Sequence, residues 1–140
     1  MSARPISPHL SAYRFGYTML FSILHRITGL ILSVGLLVLA WWLMALANGP
    51  AAYAIAETFL LSWFAKTLLA GWLASFCYHL CNGIRHLTWD LGVGMEKQEA
   101  RRSAWAAIVA ALVLFAALGY LAIAPASNAH ASRVVPQSAR

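Results

Sequence analysis

Five ionisable residues interrupt otherwise apolar segments: His25 and Arg26 in one, and His79, Arg85 and His86 in another. Near the centre of a membrane helix such side chains cost on the order of 2.5 to 3.5 kcal/mol each, so they usually face a partner or a cavity rather than lipid. His79 precedes Arg85 by six residues, which places it ~9 Å deeper along a helix if Arg85 marks the interface. His79 and His86 are seven residues apart and share a helical face, with Gly83 one turn from His79 on that face. A glycine there removes a side chain where a flat ligand could lie, and imidazole is a common metal ligand, so the spacing suits the edge of a porphyrin. In the other segment Ser22 and Arg26 are an i, i+4 pair, and His25 is one turn from both Ser22 and Gly29. That helix end offers a hydroxyl, an imidazole and a guanidinium at headgroup depth.

Elements long enough to hold these groups in a bilayer follow from composition. The 140 residues are 61% hydrophobic and 10% charged, with a mean hydropathy of +0.70, too apolar for an ordinary soluble domain. At ~20 residues per span the length accommodates about three transmembrane helices with polar ends. No charge occurs from Ile27 to Ala47, and this run closes at the helix-stopping Asn48-Gly49-Pro50. A second apolar stretch, from about Thr58 to Leu87, is broken by Lys66 and has Trp63 and Trp89 near its ends as interfacial anchors. Asp90 to Arg102 is charged and is expected as a wet loop or short amphipathic connection; Ser103 to Ala124 is uncharged again. The expected organisation is an amino-terminal segment over 1–21, a three-helix transmembrane domain over 22–124 with spans at about 22–47, 58–87 and 103–124, and a polar, mobile tail over 125–140.

Three spans put the termini on opposite sides. The face with the amino terminus and the second connection carries Arg4, Arg14, Arg26, Arg85, Lys97, Arg101 and Arg102, against Arg133 and Arg140 on the other. Positive residues stay inside, so the amino terminus is expected in the cytoplasm, or in the matrix of a mitochondrion. Met1 to Phe21 lacks a compact apolar core and cleavage site, so insertion without a cleaved signal peptide is expected. The net charge of +6 is scattered around apolar runs rather than gathered into a polar face, which argues against nucleic-acid binding.

Plainer roles cover other notable residues. The third span reads as packing material, Cys77 and Cys81 as small residues between helices, Trp41, Trp42, Trp63 and Trp72 as interface or lipid-facing rings, and Lys66 as a snorkelling cation. If His79 ligates a haem, the other spans offer no second deep histidine to complete six-coordinate iron. Three helices also wall a haem incompletely, so a membrane partner is expected.

Arg4-Pro5-Ile6-Ser7-Pro8-His9-Leu10 with Tyr13, then Ser22-Ile23-Leu24-His25-Arg26-Ile27-Thr28-Gly29, then His79 followed by Gly83-Ile84-Arg85-His86-Leu87 and Asp90, resemble the cytochrome b membrane-anchor subunit of succinate dehydrogenase, respiratory complex II. The motifs occur in family order and the resemblance covers about residues 4 to 124. It implies an all-α integral membrane protein whose three helices pack with a second anchor subunit into a haem-containing bundle. It also implies a complex with an iron-sulfur subunit and a flavoprotein that oxidises succinate, the two anchors holding haem b and reducing ubiquinone. By motif position His79 matches the axial haem ligand, the other axial histidine belonging to the second anchor. Ser22 and Arg26 match quinone-site residues, His25 and Arg26 match the haem propionate vicinity, and His86 and Asp90 belong to the motif without an assigned role. The opening motif resembles the mitochondrial and related proteobacterial branch, and its position beside Met1 favours a bacterial chain; the expected location is the cytoplasmic membrane, or the mitochondrial inner membrane for a eukaryotic chain.

The expected function is a subunit with no dehydrogenase chemistry of its own that carries electrons from the iron-sulfur subunit to quinone. A quinol:fumarate reductase anchor would use the same parts in reverse, since direction depends on cofactor potentials. A small transporter or structural anchor would need neither haem nor quinone.

Overall fold

A computed structural model describes residues 16–124, all of its regular structure helical. The opening motif at 4–13 and the tail at 125–140 lie outside the described residues. Helix α1 runs Tyr17–Ala47, α2 Pro50–Leu61, α3 Trp63–Asp90 and α4 Lys97–Ile123. Each boundary has a local cause. After α1 the chain turns through Gly49 at φ +100°, a backbone region that favours glycine, and Pro50 opens α2 where its missing N–H costs nothing. After α3, Gly92 and Gly94 both take φ +77°, and Trp89 Nε1 donates to the Gly94 carbonyl at 3.1 Å, tying the turn back onto the helix.

The stretch expected as one span over 58–87 is divided. Ser62 is extended (φ −62°, ψ 149°), its Oγ accepts from the Ala65 N–H at 3.2 Å, and α2 and α3 meet there at a 77° bend. A serine that caps a new helix offers an alternative to continuing the old one, which is why an uninterrupted apolar run breaks at this point. Helix α1 starts at Tyr17 rather than near 22, and α4 starts at Lys97, so the charged connection expected over 90–102 shortens to a turn followed by helix. Glu99 in the first turn of α4 complements the helix dipole there.

By length and apolarity α1 and α4 each suffice to cross a bilayer, and the bent α2–α3 pair has the length and composition for a third crossing if it forms one broken span. At 28 residues α3 spans roughly 42 Å, but its apolar character is diluted by the polar residues that matter below. It packs against α4 on one side and α1 on the other, while α1 and α4 share few contacts. The α4 seam is a row of alanines, Ala100, Ala104, Ala107 and Ala111, all buried at helical spacing. The large side chains point outward instead, with Leu37 at 71% and Val113 at 64% exposure. Small residues inside and large apolar ones outside is the arrangement expected when lipid is the solvent and helices associate by close backbone approach.

Gly35 of α1 packs directly against Trp72 of α3: a Cβ there would overlap the indole. Trp72 is thus half-buried between helices, not an interface ring. Beside it lies a cavity of about 320 Å³, lined by Val34, Val38, Leu60, Ala65 and Leu68 among others. Its walls are apolar apart from Trp72, whose buried Nε1 has no hydrogen-bond partner among the described residues.

Candidate functional site

Three imidazoles from two helices meet where α1 crosses α3. His25 stacks on His79 with ring centroids 3.9 Å apart and planes within 10°, and touches His86 at 4.9 Å. The register that brings them together is set by two bonds between the helices. Tyr78 donates its hydroxyl to the Phe21 carbonyl at 3.0 Å, and His79 Nδ1 lies 3.0 Å from the His25 carbonyl oxygen and 3.2 Å from Thr28 Oγ1. Thr28 directs its own hydrogen back to the Leu24 and His25 carbonyls, both at 2.9 Å, so toward His79 it accepts.

This pattern fixes a tautomer. A carbonyl oxygen only accepts, so His79 Nδ1 must carry the proton, and the lone pair of the neutral ring is then on Nε2. Metal-ligating histidines are commonly held in this way, with the second nitrogen donating to a backbone carbonyl. Gly29 makes the room: a Cβ there would come within 3.0 Å of His79 Cε1. Among the described residues no three His, Cys, Asp or Glu side chains converge in metal-ligating geometry.

His25 is half-buried, and its buried Nδ1 has no hydrogen-bond partner among the described residues. An orphaned buried nitrogen is costly and calls for a group that the described chain does not supply. One expectation needs correction. The space beside Gly83, expected to admit a flat ligand between His79 and His86, faces the His25 ring, whose Cε1 would lie 3.6 Å from an added Cβ. A neighbouring helix has filled the gap that α3 alone leaves open.

The remaining candidates are distributed around this cluster. Ser22 is half-buried and Arg26 exposed, one turn apart on α1. Thr28, Ser33 and Ser75 all donate back to the carbonyl one turn before, whereas the Ser22 hydroxyl makes no hydrogen bond among the described residues. Asp90 is exposed at the end of α3, and among the described residues no side-chain contact joins it to the histidines. Trp89 lies in the last turn of α3 rather than past its end, half-buried against Arg85 and His86.

Arg85, expected at the interface, is 4% exposed. It reaches α4, donating through Nε to Ser103 Oγ at 3.1 Å and through Nη2 to the Ala100 carbonyl at 3.2 Å, and through Nη1 to Asn82 Oδ1 at 3.3 Å. The alanine seam of α4 was the signal that a neighbouring backbone comes close enough to bury it. Thr28, Tyr78 and Asn82, which fix the register and line the interior, were not singled out in the sequence.

Comparison with known proteins gives this geometry a family. Residues 1–118 match the succinate dehydrogenase/fumarate reductase transmembrane subunit family. The chain is 40% identical over 111 residues to the succinate dehydrogenase cytochrome b556 subunit of Paracoccus denitrificans, covering 79% of this chain and 85% of that one. It is 39% identical over 101 residues to the cytochrome b560 subunit of Marchantia polymorpha, covering 66% and 72% of the two chains. Against the mitochondrial cytochrome b560 subunit of Sus scrofa it is 33% identical over 124 residues, covering 87% and 72%. The match over residues 1–118 and these identities show that the chain belongs to the family of succinate dehydrogenase/fumarate reductase transmembrane subunits.

Proposed function

We propose that this chain is a membrane anchor of succinate:ubiquinone oxidoreductase, that it supplies one axial ligand of a haem b through His79 Nε2, and that it forms part of the site where ubiquinone is reduced. The observation that carries the haem reading is the His79 Nδ1 contact to the His25 carbonyl, which directs the ring's lone pair to Nε2. The names of the relatives, cytochrome b556 and b560 subunits of succinate dehydrogenase, support the same reading and favour succinate oxidation over the fumarate direction.

The residues present fit half of a haem site. His79 would hold the iron from one side, and the second axial ligand would come from a second anchor subunit. His25, with its unsatisfied Nδ1, and the cationic Arg26 lie one residue apart on α1, where anionic propionates would meet a donor and a positive charge. When bound, the haem supplies a one-electron redox centre; the protein supplies ligation, orientation and electrostatics.

Quinone reduction places negative charge on carbonyl oxygens before protons arrive. Ser22, a hydroxyl without a hydrogen bond among the described residues, and Arg26, always protonated, can donate to that charge in a low-dielectric setting. With the amino terminus in the cytoplasm, both are near the water that supplies protons and near a docked iron-sulfur subunit that supplies electrons. In this reading the flavoprotein completes the complex, and the basic residues at the start of α4 dock soluble subunits or anionic lipid. The complex resides in the bacterial cytoplasmic membrane, or the mitochondrial inner membrane in a eukaryote.

Purification of the intact complex from native membrane tests the proposal. A b-type absorption band together with co-migrating flavoprotein, iron-sulfur and second anchor subunits is expected. A chain that purifies without haem and without those partners would overturn it in favour of a transporter or structural anchor.

A further inference from the structure

The contacts of Arg85 continue without a gap to His79. The guanidinium Cζ lies 3.8 Å above the centre of the Trp89 ring. Trp89 meets His86 edge to face at 5.4 Å, His86 meets His25 at 4.9 Å, and His25 stacks on His79 at 3.9 Å. The outer end of this series is anchored, because Ser103 and Ala100 of α4 accept from Arg85 and Gly94 accepts from Trp89. Without that anchor an imidazole on a helix surface retains several rotamers.

We propose that Arg85 and Trp89 are positioning residues: pinned to α4, they hold His86 against His25 and so set the ring orientation at His79. The physical basis is the planarity of the groups. A guanidinium spreads five donors in one plane, so the same side chain can bond α4 by its edge and cover an indole with its face, which a lysine ammonium cannot do. The Trp89 and His86 rings stand nearly perpendicular, the edge-to-face arrangement aromatic pairs prefer. The cation therefore contributes orientation at a distance from any ligand it touches.

The test uses the complete complex, and its spectral arm rests on the haem reading of His79. Trp89→Leu removes the ring between Arg85 and His86, whereas Trp89→Phe keeps a face for the guanidinium and an edge for the imidazole. The expected result is a shifted electron paramagnetic resonance signature and midpoint potential of the b haem in Trp89→Leu, with haem content retained, and a smaller shift in Trp89→Phe, which keeps the ring but loses the bond to Gly94. Arg85→Lys is expected to shift both in the direction of Trp89→Leu, and the double variant to shift no further than the larger single one, because the two residues act in series. Identical spectra in wild type and Trp89→Leu, equal shifts in Leu and Phe variants, or additive shifts with Arg85→Lys would overturn the proposal.

A cryo-electron microscopy map of the Trp89→Leu complex decides the point independently of haem. The His86 ring is expected to leave its contact with His25, and an unmoved ring overturns the inference. A wild-type complex without b haem would instead refute the functional reading, and the ring positions would still judge this one.

Discussion

His79 is held on α1 by a carbonyl, a hydroxyl and a missing side chain, and each gives a distinct expectation. Gly29→Ala puts a methyl within 3.0 Å of His79 Cε1, so the ring must yield by a few tenths of an ångström. A modest spectral shift of the haem is expected, with a larger one or haem loss in Gly29→Val; unaltered spectra in both variants would contradict the close packing. At the quinone end, Ser22→Ala is expected to lower succinate-driven quinone reduction about tenfold to a hundredfold, the equivalent of losing a hydrogen bond of about 1.5–3 kcal/mol to a developing charge. Succinate oxidation with an artificial acceptor should survive, and equal loss of both activities would indicate failed assembly instead. The polar candidates on these helices were legible because a histidine or arginine stands out against an apolar segment. Thr28 and Tyr78 were not, because a threonine or tyrosine in such a helix is ordinary until the neighbouring helix's register is known. Arg85 misled in the opposite direction, since a cation near a helix end resembles an interfacial residue until α4 covers it.

Helix positions followed from apolar runs, but the runs carried no information on where a helix resets. Ser62 ends α2 and caps α3 with no proline or glycine between Ala51 and Ala70, so only a side chain able to bond Ala65 N–H marks the break. The start of α4 was read too late for a related reason. Its charged first turns are exposed beyond the apolar seam, yet they remain helical because Glu99 suits the helix start and Ala100 already packs on α3. That seam can be tested directly. Ala104 is 2% exposed at its centre, and Ala104→Leu is expected to force α3 and α4 apart at a cost of about 1–3 kcal/mol. The check is a lower thermal transition of the solubilised complex, beside an unchanged one for Val113→Leu on the exposed face.

On the proposed reading the described helices form half of a site: α1 and α3 bring the imidazoles together, and a second anchor subunit would supply the other side of the haem. The chain's exposed apolar surface is consistent with lipid and a membrane partner covering the same helices. Orientation is part of the account, since quinone chemistry at Ser22 and Arg26 needs the cytoplasmic side. A cysteine introduced at Glu99, on the exposed start of α4, is expected to react with an impermeant thiol reagent from the cytoplasmic side of oriented vesicles. Labelling from the opposite side would invert the topology. The most direct measurement is the reduced-minus-oxidised spectrum of the complete complex carrying His79→Leu. The account predicts that the b-type band is lost or strongly perturbed while the subunits still co-purify; an assembled complex with the wild-type band would contradict it.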